Sequence, residues 1–179
     1  MGLQKYIPNE YRKTIKDINY KSLLEQGKKI IFFDLDNTLA DYQTHHATDE
    51  LKKTIENIKA TGFKITILSN NHKGRVTTFM KELGVDGLYD LGKPFTGKVV
   101  KYMRYNKYSA DEIVLIGDQV MTDLKFANKL GYYSILVDPI KPETEHWYTR
   151  INRFFERRKL RSIKKYLNEV YVDLKLGER

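Results

Sequence analysis

Three aspartates follow directly after one short apolar stretch. The stretch IIFF, residues 30–33, has the composition of a buried strand, and Asp34, Asp36 and Asp41 come within the next eight residues. Burying one unpaired carboxylate costs a large free energy. Carboxylates at the end of a core strand therefore indicate a partner that stabilises them there, and a bound cation is one such partner.

Other polar residues follow later strand-like stretches. Ser69 and Asn70 come after KITIL, Asp118 comes after IVLIG, and Lys93 lies in the short segment LGKPF. In a parallel sheet, ligands bind outside the carboxyl ends of the strands. We therefore expect these side chains to meet Asp34 at one edge of a sheet.

The elements that position these residues alternate between strand-like and helix-like segments. Between the first two strands, apolar residues at Leu51, Ile55 and Ile58 have helical spacing. An alternation of nearly continuous apolar strands with helices is typical of a parallel sheet covered on both faces. We predict an α/β fold with a mostly parallel sheet, and expect residues 1–29 to be helical.

The residue types suit phosphoryl transfer. Asp34 and Asp118, at the ends of adjacent strands, could hold one Mg²⁺, because oxygen ligands suit this ion. Lys93 could neutralise anionic charge, and Thr38 and Ser69 could donate hydrogen bonds to phosphate oxygens. Positioning and charge neutralisation carry most of the catalysis of phosphoryl transfer, and an aspartate can act as its nucleophile.

In the order and spacing of these residues the chain resembles the haloacid dehalogenase superfamily, which has four short motifs. They are D-x-D-x-T after an apolar strand, a Ser or Thr ending the next core strand, a Lys, and G-D-x-x-x-x-D after a later strand. The matching residues are Asp34, Asp36 and Thr38; Ser69; Lys93; and Gly117, Asp118 and Asp123. The alternative is a strand followed by an Asp-rich turn, which Asp36, Asn37 and Asp41 taken singly would favour. Four motifs in the expected order favour the site instead.

The resemblance implies roles for the four aspartates. Asp34 would be the nucleophile and a Mg²⁺ ligand. Asp36 would be the general acid and then the base, and its backbone carbonyl would bind the metal. Asp118 would complete the metal site, and Asp123 would bind the metal through water or orient Lys93. Because a leaving alkoxide needs a proton, Asp36 favours phosphate ester hydrolysis over dehalogenation.

The resemblance also implies a site for the transferring phosphoryl group. Thr38, Ser69 and Lys93 would bind its oxygens. Asn70 and Asn71 could offer their amides to the substrate, or could simply shape the loop after the second strand.

The spacing of the motifs predicts a catalytic domain without a separate cap. Residues 41–64 and 71–92 each have room for little more than one helix. This resembles the capless subfamily IIIA, YqeG-like branch, which includes phosphatases of phosphatidylglycerol phosphate. It implies a three-layer Rossmann-like fold with extra N- and C-terminal helices. We expect one domain over residues 1–179, with a catalytic core at about 28–140 and a basic extension at 141–179.

The charge is concentrated in that extension. Residues 147–165 contain eight basic residues and one acidic residue, and so carry +7 of the net charge of +9. An amphipathic basic helix can bind an anionic membrane surface. Trp147, Ile151, Phe154 and Phe155 lie near one face of this helix. The alternatives are a solvated helix whose aromatic residues dock on the core, and, with less support, nucleic-acid binding.

These features leave three functions open. The first is a Mg²⁺-dependent phosphomonoester hydrolase that acts on phosphatidylglycerol phosphate at a membrane. The second is the same catalyst for a soluble nucleotide or sugar phosphate, and the third is an RNA- or ribosome-associated module on the same scaffold. The chain has no cysteine, no apolar run that could span a bilayer and no apolar signal core. We expect a cytoplasmic protein, peripheral at the inner face of the membrane if the lipid is its substrate.

Overall fold

The computed structural model describes residues 2–145 and 147–178, so that His146 in the C-terminal extension lies outside the described residues. Its centre is a six-stranded sheet of order β1-β6-β5-β2-β3-β4, in which all five neighbouring pairs are parallel. The strands are β1 (Glu10–Arg12), β2 (Ile30–Phe33), β3 (Lys64–Leu68), β4 (Asp86–Leu88), β5 (Ile113–Gly117) and β6 (Tyr133–Val137). The helices are α1 (Tyr20–Glu25), α2 (Asp49–Ala60), α3 (Lys73–Leu83), α4 (Gly97–Asn106), α5 (Lys125–Leu130), α6 (Trp147–Tyr166) and α7 (Asn168–Asp173).

The central strand β2 is covered on both faces. Ile31 and Phe33 pack in one apolar cluster with α2 and α3, and Ile30 and Phe32 pack in a second cluster with α4 and α5. Alternate residues of a strand point to opposite faces, so two buried faces require an unbroken apolar run. The three-layer α/β prediction is confirmed.

The N-terminal segment differs from its prediction. It contains short helices, including α1, but Glu10–Arg12 forms the edge strand β1, which pairs in parallel with β6 in the register Glu10 to Ile135. An uncovered strand edge exposes unpaired backbone groups. β1 forms hydrogen bonds with the backbone groups along the edge of β6, so this segment completes the sheet. The expectation that residues 1–29 are helical is therefore wrong for residues 10–12.

The connections between the motifs are short, as expected. Between β2 and β3 the described chain forms a loop and α2, and between β3 and β4 it forms α3. Among the described residues, neither connection contains an inserted domain that could cover the carboxyl ends of the strands. The assignment of residues 1–179 to one domain stays a prediction.

The C-terminal extension forms α6, whose buried residues Thr149, Glu156 and Ile163 recur every seventh position. Ile163 packs with Tyr6 and Leu136 in a third apolar cluster. The predicted alternative in which the aromatic residues dock on the core is wrong, because Trp147, Ile151, Phe154 and Phe155 are exposed.

Candidate active site

Asp34 lies at the carboxyl end of β2, next to a buried lysine. Lys93 Nζ lies 2.6 Å from Asp34 Oδ1 and 2.6 Å from Asp123 Oδ1, and it donates a third hydrogen bond of 2.9 Å to the carbonyl oxygen of Leu68. The Asp34 amide donates to the carbonyl oxygen of Ile116 on β5. The two central strands therefore fix the backbone of Asp34, and Lys93 fixes its carboxylate.

Burial perturbs both members of this pair. The pKa of Asp34 is well above its ordinary value, because desolvation and the nearby Asp123, Asp118 and Asp36 carboxylates outweigh the attraction of Lys93. Burial alone would lower the pKa of Lys93, but the Asp123 and Asp34 carboxylates outweigh it and raise that pKa. A lysine that stays charged can balance the negative charge of this site.

Gly117 allows Asp123 to approach the sheet. A Cβ at Gly117 would lie 2.6 Å from Cγ of Asp123, which is far closer than real Cβ contacts. Asp123 lies in a single π-helical turn, Val120–Leu124. Its Oδ2 accepts a 3.1 Å hydrogen bond from the backbone N–H of Gln119. The glycine of the fourth motif is thus required by close packing.

Asp118 is fully buried and lies against α6. Its Oδ1 accepts a 3.3 Å hydrogen bond from Thr38 Oγ1, and its Oδ2 forms an ion pair with Arg153. Arg153 also donates to the carbonyl oxygen of Asp118 at 2.7 Å and to Glu145 Oε1 at 2.7 Å. The guanidinium stays charged, because the Asp118, Glu156 and Glu145 carboxylates raise its pKa despite burial.

Asp36 points away from Asp34 and toward α3. Its Oδ1 pairs with Arg75 Nε at 2.8 Å, and its Oδ2 accepts hydrogen bonds from Ser69 Oγ at 3.3 Å and Asn71 Nδ2 at 3.2 Å. Arg75 also donates to the carbonyl oxygens of Thr44 and Asp41. One arginine therefore joins the side chain of Asp36 to the loop that follows it.

Asn37 and Asn70 shape the loops of the site. Asn37 has φ 64°, in the left-handed region that asparagine tolerates better than most residues. Its Nδ2 donates a 2.9 Å hydrogen bond to Glu145. Asn70 holds the backbone of Lys93: its Oδ1 accepts from the Lys93 amide at 2.6 Å, and its Nδ2 donates to the Lys93 carbonyl oxygen at 3.3 Å.

A cavity of about 530 Å³ opens onto these residues. It is lined by Asp34, Asp36, Asn70 and Lys93 on the sheet side. Its remaining lining includes Asn71, which the sequence indicated together with Asn70. It also includes residues that the sequence interpretation did not assign, namely Tyr42, His72, Asp90, Gln119, Thr122, Thr149 and Asn152. Thr149 and Asn152 belong to α6, so that the C-terminal extension forms one wall of the cavity.

The structure brings three predicted aspartates together. Carboxylate oxygens of Asp34, Asp118 and Asp123 lie within 4.8 Å of one another, and all three residues are buried. The side chain of Asp36 lies against Arg75 and is not in this group. These oxygens suit a hard divalent cation.

Sequence reasoning missed two cations of the site. Arg75 lies in the first turn of α3, where a positive charge is unfavourable toward the helix dipole; that placement was a usable signal. Arg153 lies within the basic run, and its only signal was Glu156, the single acidic residue there, three positions later.

Comparisons with known proteins agree with this geometry. Residues 2–141 match the family described as mitochondrial PGP phosphatase. The probable phosphatase YqeG of Bacillus subtilis (strain 168) is 37% identical over 160 residues, which cover 89% of this chain and 92% of that protein. The chain belongs to the PGP phosphatase family. Its membership and its relatives make it a phosphatase, as the motifs predicted.

More distant relatives cover the same core. Phosphatidylglycerophosphate phosphatase 1, chloroplastic/mitochondrial, of Arabidopsis thaliana is 25% identical over 84% of this chain, which spans 46% of that protein. Among solved structures, the cobalt-bound form of the phosphatase YrbI from Haemophilus influenzae aligns with a TM-score of 0.51 and 13% identity over 82% of this chain and 98% of that one. An uncharacterized protein from Listeria monocytogenes serotype 4b aligns with a TM-score of 0.52 and 19% sequence identity. The alignment covers 65% of this chain and 80% of that one. These structures share the fold.

Proposed function

We propose that this phosphatase hydrolyses the phosphomonoester of phosphatidylglycerol phosphate, with Mg²⁺ as its cofactor and an aspartyl phosphate on Asp34 as its intermediate. The observation that carries the proposal is the buried group of Asp34, Asp118 and Asp123 around Lys93. Similarity to the phosphatidylglycerophosphate phosphatase of Arabidopsis thaliana supports the lipid substrate.

Two carboxylates carry the covalent steps. An oxygen of Asp34 bonds to phosphorus as the bond from phosphorus to the substrate alkoxide breaks, and Asp36 gives its proton to that alkoxide. Asp36 then takes a proton from water, whose oxygen attacks the phosphorus, so that the acyl phosphate breaks into inorganic phosphate and free Asp34. The net reaction consumes one water per ester.

The charge of the site fits a divalent cation. Five buried carboxylates, Asp34, Asp118, Asp123, Glu145 and Glu156, face two cations, Lys93 and Arg153, which leaves an excess of three negative charges. Uncompensated buried charge is costly, and hard oxygen donors suit Mg²⁺. Asp34, Asp118 and the backbone carbonyl of Asp36 would hold the ion, which would neutralise charge on the transferring phosphoryl group.

Four residues remain as candidates for binding that phosphoryl group. Lys93 and Asn70 line the cavity, and the hydroxyl groups of Thr38 and Ser69 already donate to Asp118 and Asp36. A hydroxyl proton can rotate to a new acceptor, so both side chains could donate to phosphate oxygens instead.

The catalytic proposal is tested by phosphate release from phosphatidylglycerol phosphate in mixed vesicles with Mg²⁺, beside a panel of soluble phosphomonoesters. We expect Asp34→Asn to lose turnover by at least about 10³-fold, because the nucleophile is gone. Asp49→Asn, at the exposed start of α2, is the matched control. Normal turnover by Asp34→Asn would refute the proposal, and turnover of soluble esters alone would refute the lipid substrate.

The exposed face of α6 supports binding to an anionic membrane. Ile151, Phe154 and Phe155 are 47%, 52% and 45% exposed, and Phe154 and Phe155 contact each other edge to face at 5.7 Å. The exposed basic residues of the helix are Arg150, Arg157, Arg158, Arg161, Lys164 and Lys165. Each basic residue near an anionic surface contributes about 1 kcal/mol. Among the described residues, every helix is too short or too polar to cross a bilayer, so that the contact proposed here is peripheral, at the cytoplasmic face.

The membrane proposal is tested by co-sedimentation with phosphatidylglycerol vesicles and with neutral phosphatidylcholine vesicles. We expect the wild type to bind only the anionic vesicles, and the triple change of Ile151, Phe154 and Phe155 to Ser to weaken binding at least tenfold. Tyr105→Ser, which removes an aromatic ring that is 87% exposed on α4, is the control. If the wild type did not bind vesicles, the proposed contact with an anionic membrane would be refuted. Salt-sensitive RNA binding in its place would favour the nucleic-acid alternative.

A further inference from the structure

Arg153 lies where the C-terminal helix meets the aspartate cluster. It follows the cavity-lining residues Thr149 and Asn152 on α6, and its side chain is 11% exposed. The match to the family covers residues 2–141 and ends before it. Its contacts with Asp118 show its place beside the aspartate cluster.

The contacts of Arg153 hold Asp118 at two points. The guanidinium pairs with Asp118 Oδ2 and donates a 2.7 Å hydrogen bond to the carbonyl oxygen of the same residue. Its other contacts are Glu145 at 2.7 Å and Glu156 at 3.3 Å. Because both the carboxylate and the backbone of Asp118 are held, the side chain has little freedom to rotate.

The two carboxylate oxygens of Asp118 have different contacts. Oδ2 is occupied by Arg153, whereas Oδ1 contacts Thr38 Oγ1 at a longer distance of 3.3 Å. A lysine could not reproduce this hold, because one ammonium cannot present the planar fork with which a guanidinium engages a carboxylate and a neighbouring carbonyl.

We infer that Arg153 is a positioning residue for Asp118, and that α6 is thereby a structural part of the metal site. The inference rests on the function proposed above. Contacts of this kind orient metal ligands, and their loss commonly weakens metal affinity by 10- to 100-fold. The two carboxylates Glu145 and Glu156 orient Arg153 in turn.

The test is calorimetric titration of Mg²⁺ into the metal-free full chain. We expect Arg153→Met to bind Mg²⁺ at least about tenfold more weakly than the wild type, and Arg153→Lys to fall between them. Arg104→Met, the same change at an exposed position of α4, should bind as the wild type does. If Arg153→Met does not fold, Arg153→Lys carries the test.

A second measurement separates positioning from general stability. Hydrolysis of a soluble ester by Arg153→Met, measured against Mg²⁺ concentration, should need at least about tenfold more Mg²⁺ for half-maximal rate, with kcat largely restored at saturation. Unchanged or tighter Mg²⁺ binding by Arg153→Met, with or without a lower melting temperature, would overturn the inference. A wild type that binds no Mg²⁺ would instead overturn the proposed metal dependence.

Discussion

The buried ion pairs of Lys93 predict how much stability the protein loses when this lysine is replaced. Lys93 Nζ lies 2.6 Å from both Asp34 and Asp123, and none of the three side chains is more than 7% exposed. Removing one partner of a buried ion pair costs about 3–5 kcal/mol, because the remaining charge is left uncompensated. We expect Lys93→Met to lower the free energy of unfolding of the metal-free protein by about that amount.

The assay is urea unfolding at pH 7 in EDTA, followed by circular dichroism. Lys29→Met is the matched control, because Lys29 pairs with Glu112 at 2.5 Å while its side chain is 68% exposed. We expect the midpoint of this control to stay close to that of the wild type. The double variant Asp34→Asn/Lys93→Met should be more stable than Lys93→Met, because it removes a buried carboxyl group that would otherwise be charged without its partner or have to take up a proton.

Two results would refute this reasoning. If Lys93→Met lost no more stability than Lys29→Met, the carboxylates would not depend on the lysine for their charge balance. If the double variant were less stable than Lys93→Met, the cost would come from lost packing rather than from the unpaired charge of Asp34.

Three further predictions concern neighbouring residues. Gly117→Ala should destabilise the protein by about 1–3 kcal/mol and weaken Mg²⁺ binding in calorimetry, because its Cβ would displace Asp123. Arg75→Met should lower kcat on a soluble ester by about 10²-fold with little change in KM, because Asp36 loses its 2.8 Å partner and misplaced catalytic groups cost about that factor. Since burial raises the pKa of Asp34, the metal-free native state binds more protons than the unfolded state between pH 3.8 and that raised pKa. Its stability in urea should therefore rise as pH falls through this window, and Asp34→Asn should remove that rise.

Each of these predictions has a control variant or a contradicting result. Gly97→Ala meets no atom within 4 Å and should leave Mg²⁺ binding unchanged, and Lys73→Met changes an exposed cation in the same turn of α3 as Arg75. Equal kcat for Arg75→Met and Lys73→Met would show that Arg75 does not position Asp36. A metal-free wild type whose pH profile matches that of Asp34→Asn would show that the buried carboxylate is not linked to folding.

The sheet and its aspartates were predictable because one rule positions both. Continuous apolar runs such as residues 30–33 have to be covered on two faces, and the carboxyl ends of parallel strands meet at one edge. Asp34 and Asp118 end two adjacent strands, so their proximity followed from the strand pattern. The edge strand Glu10–Arg12 did not follow from it, because only three residues pair with β6 and their alternation is too short to be distinctive.

The contacts of Arg75 and Arg153 could not be obtained from local patterns. Each arginine reaches a carboxylate more than thirty positions away in the chain, 39 for Asp36 and 35 for Asp118. Periodicity reports which side of a helix is apolar, and it carries no information about which buried carboxylate a cation will meet. The direction of Asp36, toward α3 rather than toward the other aspartates, depends on such a contact.

The N-terminal half of α6 reverses the usual arrangement of an amphipathic helix. Its buried side carries Thr149, Arg153 and Glu156, and its exposed side carries Phe154 and Phe155 beside basic residues. Burying the polar side is tolerable because Arg153 meets three carboxylates there. Exposing the aromatic side to water is unfavourable, and a second apolar environment would remove that cost. Because the buried side reaches the aspartate that would hold a metal, a membrane bound to the exposed side would stabilise the same helix that positions Asp118.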